Sequence, residues 1–110
     1  MSPARKRTKD PAPVFAALGD TTRLKLVSRL GDGAPRSITQ LADGFDVTRQ
    51  AITKHLRVLE DADLVRCTRV GRETRYTLRP RSVDAASAYL ERVSMQWDAA
   101  VERLRRVVEE

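Results

Sequence analysis

Five side chains between Arg49 and Arg57 share one chemistry. Wound at about 100° per residue, the stretch from Arg49 to Asp61 puts Arg49, Gln50, Thr53, Lys54 and Arg57 in one arc. Ala51, Ile52, His55, Leu56, Val58 and Leu59 fall in the other. The second arc is an ordinary core stripe. The first holds cations and hydrogen-bonding groups, and meets no acid before Glu60. Surface helices usually mix signs, because opposite charges four residues apart support a helix. Positive charge near a helix N-terminus also opposes the macrodipole. The face is therefore unhelpful to its own helix and points to an anion outside the chain. Arg and Gln can make bidentate contacts with guanine and adenine edges, and Thr can touch a thymine methyl or a phosphate. A helix lying in the major groove presents its N-terminal residues to the bases. The face reads as a DNA-reading surface, with Thr48 at its front.

The surrounding sequence contains the elements that would position it. Thr48 can cap the helix, and Val47 with Ile52 have the spacing of a hydrophobic staple. Just before lies "RSITQLADGF", a short helix whose Ser37 and Gln40 form a capping-box pattern, with Ile38, Leu41 and Ala42 apolar and Gly44 as a stop. Two helices joined by so short a turn form a helix-turn-helix. Upstream, "PVFAALGD" has Pro13 at its start and Gly19 at its end. Asp20 is placed to cap "TTRLKLVSRL", which Gly31 and Gly33 stop. After Leu64 the period changes to two. "LVRCTRVGRETRYTL" reads as strand, turn, strand with Gly71 at the turn: a basic β-wing behind the helices, able to meet phosphates or the minor groove.

From Ser82 to Val108 there is neither Gly nor Pro. Ala86, Leu90, Val93, Trp97, Ala100, Leu104 and Val107 are spaced alternately four and three, a heptad-like seam. A domain this small cannot cover so long a stripe, and the simplest cover is the same helix of a second copy. Tyr76, Phe15, Phe45 and Tyr89 are read as packing residues and Trp97 as a seam anchor.

Composition excludes several other classes. The 110 residues fit one small domain, 41% hydrophobic, with a net charge of +6 and a pI near 10.2. From Thr48 to Arg81 there are nine basic residues and four acidic ones, and beyond Ser82 the balance reverses to four and six. The positive pole is the middle of the chain. The basic start "MSPARKRTKDPAP" lacks the apolar stretch of a signal peptide, and no run of about 18 apolar residues occurs, so a cytoplasmic protein is expected. One cysteine, Cys67, allows no internal disulfide. One His and one Cys make a poor metal site, and no Gly-rich phosphate loop is present. His55 lies on the apolar arc and Cys67 in a predicted strand, where both are read as structural rather than as a catalytic pair. No enzyme, metal or cofactor is expected.

"FAALGDTTRLKLVSRL", "ITQLADGFDVTRQAITKHLRVLEDADLV" and "GRETRYTL" resemble the ArsR/SmtB family of bacterial winged-helix repressors, over roughly Val14 to Leu78. The resemblance implies a homodimer built from the first and last helices, with two recognition helices in successive major grooves. It implies that Thr48, Arg49, Gln50, Thr53, Lys54 and Arg57 face DNA, and that Arg69, Arg72, Thr74 and Arg75 lie in or near the wing tip. Phe15 and Leu18 would join Leu90, Val93, Trp97, Ala100 and Leu104 in the dimer. Metal-sensing members carry cysteines where this chain has "SITQLADGF", or His and acidic ligands along the last helix. Here the cysteines and the His are missing, so the chain looks like a metal-independent branch. Where the family usually has Gly, this chain has Asp63, a residue that tolerates the left-handed conformation.

The expected architecture is mostly α with a small β-hairpin wing: a winged helix-turn-helix, homodimeric through its terminal helices. Residues 1–12 form a disordered basic arm, 13–81 the DNA-binding domain and 82–110 the dimerisation helix. The expected function is a sequence-specific regulator bound to double-stranded operator DNA, a repressor of its own or a neighbouring promoter. Two alternatives are a regulator with a small-molecule effector pocket between the terminal helices near Trp97, and a winged helix used to bind protein.

Overall fold

The computed structural model describes residues 10–109. In chain order the elements are α1 (Ala12–Leu18), α2 (Thr21–Arg29), β1 (Arg36–Ser37), α3 (Ile38–Ala42), α4 (Arg49–Asp61), β2 (Val65–Val70), β3 (Glu73–Leu78) and α5 (Pro80–Glu109). Residues 1–9 of the expected basic arm lie outside the described residues. The arm's last residue, Ala12, already belongs to α1, with Pro11 as its N-cap.

The helix starts are chemical. Asp20 Oδ2 accepts the Arg23 N–H at 3.1 Å and opens α2. Ser37 Oγ accepts the Gln40 N–H at 3.2 Å while Gln40 Oε1 accepts the Ser37 N–H at 2.8 Å, a complete capping box on α3. Thr48 Oγ1 accepts the Ala51 N–H at 3.0 Å and opens α4. Each cap satisfies a donor that has no partner within its helix, a contribution of about 1 kcal/mol. Gly44 (φ 84°) ends the α3 region, and Gly71 (φ 66°) turns the hairpin. Asp63 (φ 61°) takes the left-handed corner between α4 and β2, as its residue type allows.

The core gathers around α4. Ile52, Leu56 and Leu59 are fully buried against Leu26, Leu30, Leu41 and Leu64. Burial stabilises by about 1.5–3 kcal/mol per side chain of this size. Val58, grouped by sequence with that stripe, is 40% exposed. It sits at the margin of the arc, beyond the strip that the neighbouring elements cover.

The β-structure is larger than the expected hairpin. Three antiparallel strands lie in the order β1-β3-β2, with Arg36 opposite Tyr76 and Ser37 opposite Arg75. A two-residue strand carries no alternation to read, and it exists because β3 offers it an edge. Ser37 thus ends a strand and caps a helix at once.

The last helix begins at Pro80, two residues before the boundary drawn at Ser82. Proline is tolerated in a first turn, where no intrahelical partner waits for its missing N–H. Ala86 is buried, and Phe15 of α1 meets Tyr89 of α5 with ring centroids 5.8 Å apart. Beyond Ala86 no residue of the helix is buried and it runs away from the body, giving extents of 68 × 36 × 21 Å.

Candidate nucleic-acid interface

The α4 surface is built from its cap forward. Thr48 uses one hydroxyl lone pair on the cap, and Arg49, Gln50, Lys54 and Arg57 are exposed beyond it. Thr53 is half-buried and donates its hydroxyl to the Arg49 carbonyl at 2.9 Å, which leaves its oxygen free to accept. From Arg49 to Arg57 the axial rise is about 12 Å, comparable to the width of a B-DNA major groove. No acid interrupts that distance.

Three devices hold the face in place, and sequence reasoning named none of them. Arg29 of α2 donates to the Leu41 carbonyl at 2.8 Å and to the Asp43 carbonyl, and its guanidinium lies 4.5 Å from the Phe45 ring centroid. It clamps the open end of α3 to the turn that leads into α4. Thr39 of α3 accepts a hydrogen bond from Arg49 Nη2 at 2.6 Å, so the first arginine of the face is already oriented. The signal for Thr39 was its place on the polar side of α3, which alone names no partner. At the other end, Arg23 donates Nε to the Ala17 carbonyl (2.6 Å) and Nη1 to His55 Nδ1 (3.2 Å). Arginine can only donate, so this ring nitrogen accepts. Asp20 Oδ2 lies 3.8 Å from the same nitrogen. The Arg23 backbone N–H holds the Asp20 carboxyl below its ordinary value; partial burial opposes this, and the Arg23 charge and the Thr22 backbone N–H support it. His55 therefore ties α4 to the start of α2.

The wing divides its expected contacts between two faces. Arg69 pairs with Thr74 across the hairpin, on the side that carries Cys67 and Tyr76. Arg75 lies on the opposite side, at the sheet's centre strand rather than its tip, and its Nε donates to Glu73 Oε1 at 2.8 Å. Part of its charge is already answered. Arg72 stands exposed beside Gly71 in the turn itself. Tyr76 is buried, and burial followed by the neighbouring Cys67 pushes its phenol up to about 12.

The residues expected at the dimer interface differ in exposure. Phe15 and Leu18 pack partly into the protomer's own core. Val93 and Ala100 are half-buried, while Leu90, Trp97 and Leu104 stand bare at 54%, 66% and 64% exposure. Val101, Val107 and Val108 continue the bare stripe. Among the described residues no three of His, Cys, Asp and Glu come together as a metal-binding group. Among the same residues no helix is long and apolar enough to cross a membrane.

Helix, turn, capped recognition helix and basic hairpin together define a winged helix-turn-helix DNA-binding protein. A helix-turn-helix domain model matches residues 18–68. The chain is 36% identical over 84 residues to the HTH-type transcriptional regulator Rv2034 of Mycobacterium tuberculosis, covering 76% of this chain and 78% of that protein. It is 36% identical over 72 residues to the transcriptional repressor SmtB homolog of Synechocystis, covering 66% of this chain and 54% of that one. Among solved structures, an ArsR-like transcriptional regulator from Rhodococcus sp. RHA1 is 38% identical with a TM-score of 0.75, covering 88% of this chain and 91% of that one. The chain belongs to the ArsR/SmtB family of transcriptional regulators. It is a regulator with a helix-turn-helix DNA-binding domain, of a kind with DNA-binding relatives rather than with enzymes.

Proposed function

We propose that this regulator is a cytoplasmic homodimer that represses its own or a neighbouring promoter and does not sense metal. The observation that carries the DNA-reading assignment is the exposed, acid-free face of α4, with Arg49 pre-oriented by Thr39. In this reading Arg49, Gln50 and Lys54 read bases, Thr48 and Thr53 contact the same groove, and Arg57 grips a phosphate. Arg69, Arg72 and Thr74 serve at the wing, and Arg75 contributes less because Glu73 already engages it. The body from α1 to β3 makes the DNA-binding unit, and α5 (Pro80–Glu109) makes the dimerisation helix. The bare stripe Leu90, Trp97, Leu104 supports the dimer, because a lone helix would leave it in water. Two copies related by a two-fold axis would place two recognition helices one turn of DNA apart.

Fluorescence anisotropy at physiological salt tests the reading, with the protein's own upstream promoter and a scrambled duplex of equal length. The expected result is promoter binding tighter than the scramble by about a thousandfold or more. Equal, steeply salt-dependent binding to both duplexes would refute base reading from this promoter and reduce the face to a phosphate grip.

A further inference from the structure

Two clefts in the surface are lined by arginine, and they differ in one respect. The cleft beside α3, about 640 Å³, holds Arg29 and Arg36 with Thr39, Gln40 and Asp43. Its cations are engaged: Arg29 by two carbonyls and a ring, Arg36 by the Arg29 carbonyl and the Asp32 carboxylate. The second cleft, about 570 Å³, lies at the base of the hairpin where β3 passes into α5. Arg66, Arg79 and Arg81 line it together with Thr68, Thr77 and Pro80. Among the described residues none of these three guanidinium groups has an ion-pair, hydrogen-bond or ring partner. Asp63, whose carbonyl accepts the Ser82 hydroxyl at 2.7 Å, makes no ion pair with them.

The crowding follows from the register. Arg66 stands opposite Thr77, and the strand's extension brings Arg79 in two residues later. The Arg79 N–H is pinned to the Leu64 carbonyl at 2.8 Å, which holds the segment against β2. Arg81 follows in the first turn of α5, a turn without an acidic residue. Three like charges in one concavity repel unless an anion joins them. Guanidinium forks and threonine hydroxyls match the oxygens of a phosphoryl group.

We propose that this cleft binds the phosphoryl group of a small phosphorylated ligand through Arg66, Arg79 and Arg81. The DNA backbone is the competing source of phosphate. The position favours the free ligand: Arg66 lies roughly 17 Å back along the strand from the Gly71 turn at about 3.3 Å per residue. The wing residues assigned to DNA, Arg69, Arg72 and Thr74, lie within three residues of that turn, and this choice of source rests on that reading.

The test uses the full chain, 15N-labelled, titrated with inorganic phosphate against chloride at constant ionic strength. The expected result is saturable amide shifts at Arg66, Thr68, Thr77, Arg79 and Arg81, with Arg36, Thr39 and Gln40 unmoved. In Arg66→Gln/Arg81→Gln the apparent affinity falls at least tenfold while the rest of the spectrum is retained. Shifts that never saturate, that spread over both clefts, or that persist in the double variant overturn the site. A second arm measures the salt dependence of duplex binding for the same variant. An unchanged slope supports the free ligand; a slope smaller by about two assigns the arginines to the DNA backbone and overturns the proposal. Failure of the wild-type chain to bind DNA would sink the DNA reading alone, since the phosphate titration needs no DNA.

Discussion

Replacing Leu104 by alanine separates the dimer from the fold. Leu104 is 64% exposed on the free stretch of α5, beyond every buried residue of its protomer. Its loss removes nothing from the core, and alanine keeps the helix. If the same helix of a second copy covers it, burial of that exposed fraction is worth about 1–2 kcal/mol, scaled from about 1.5–3 for a whole leucine. A two-fold interface uses the position twice, so the dimer loses about 2–4 kcal/mol. The dissociation constant should rise by roughly 30- to 700-fold. Sedimentation equilibrium over a range of concentrations measures it directly. Circular dichroism on the same samples should show retained helix. On DNA, the variant should bind a single half-site as before and lose most of its affinity for the full operator at nanomolar protein. A monomer–dimer constant unchanged within twofold, with the helix intact, would refute the seam and the dimer geometry built on it.

Three further outcomes are expected. Gln50→Ala should cost about 1–3 kcal/mol on the operator and little on a scrambled duplex, whereas Arg72→Ala should weaken both alike and lower the salt slope by about one; anisotropy on the two duplexes checks the contrast, and an equal loss for Gln50→Ala would remove it from base reading. Tyr76→Phe should flatten the alkaline loss of stability. The folded phenol ionises near 12, above its ordinary 10.0, so the unfolded chain ionises first and stability falls as pH rises between those values, by at most about 1.4 kcal/mol per pH unit. Urea melts at pH 9, 10 and 11 would show parallel curves for the two proteins if the reasoning fails. Asp63→Gly should stabilise the fold by about 1 kcal/mol, since φ is 61° at that corner; that is a melting rise of about 4–8 °C for a chain of this size, and a lower melting temperature would show that the aspartate side chain holds the turn.

Much of the local structure was legible because its causes are local. Asp20, Ser37 with Gln40, and Thr48 cap the helices expected of them, since a cap needs only one side chain within three residues of a free N–H. Gly71 and Asp63 mark turns by their own conformational preference. The α4 face was readable because 3.6-residue periodicity and the absence of acids are properties of the string alone. Partners that meet across the chain were not. Thr39 meets Arg49 at ten residues' separation, Arg29 meets the Leu41 and Asp43 carbonyls at twelve and fourteen, and Arg23 meets His55 at thirty-two. Nothing in the spacing of those residues says which polar groups will meet.

The same division holds at the surface. The residue string determined a capped helix with a donor-rich face, a hairpin with a glycine turn, and a long helix with an apolar stripe. Tertiary packing decided that Val58 stays half in water, that β1 joins the wing as a third strand, and that Arg75 spends its charge on Glu73. It also decided that, among the described residues, Arg66, Arg79 and Arg81 share a cleft with no acid in its lining. Caps and periodicity act through the nearest few residues. Register and burial depend on which distant surfaces close on one another, and that is decided only when the core around α4 has formed.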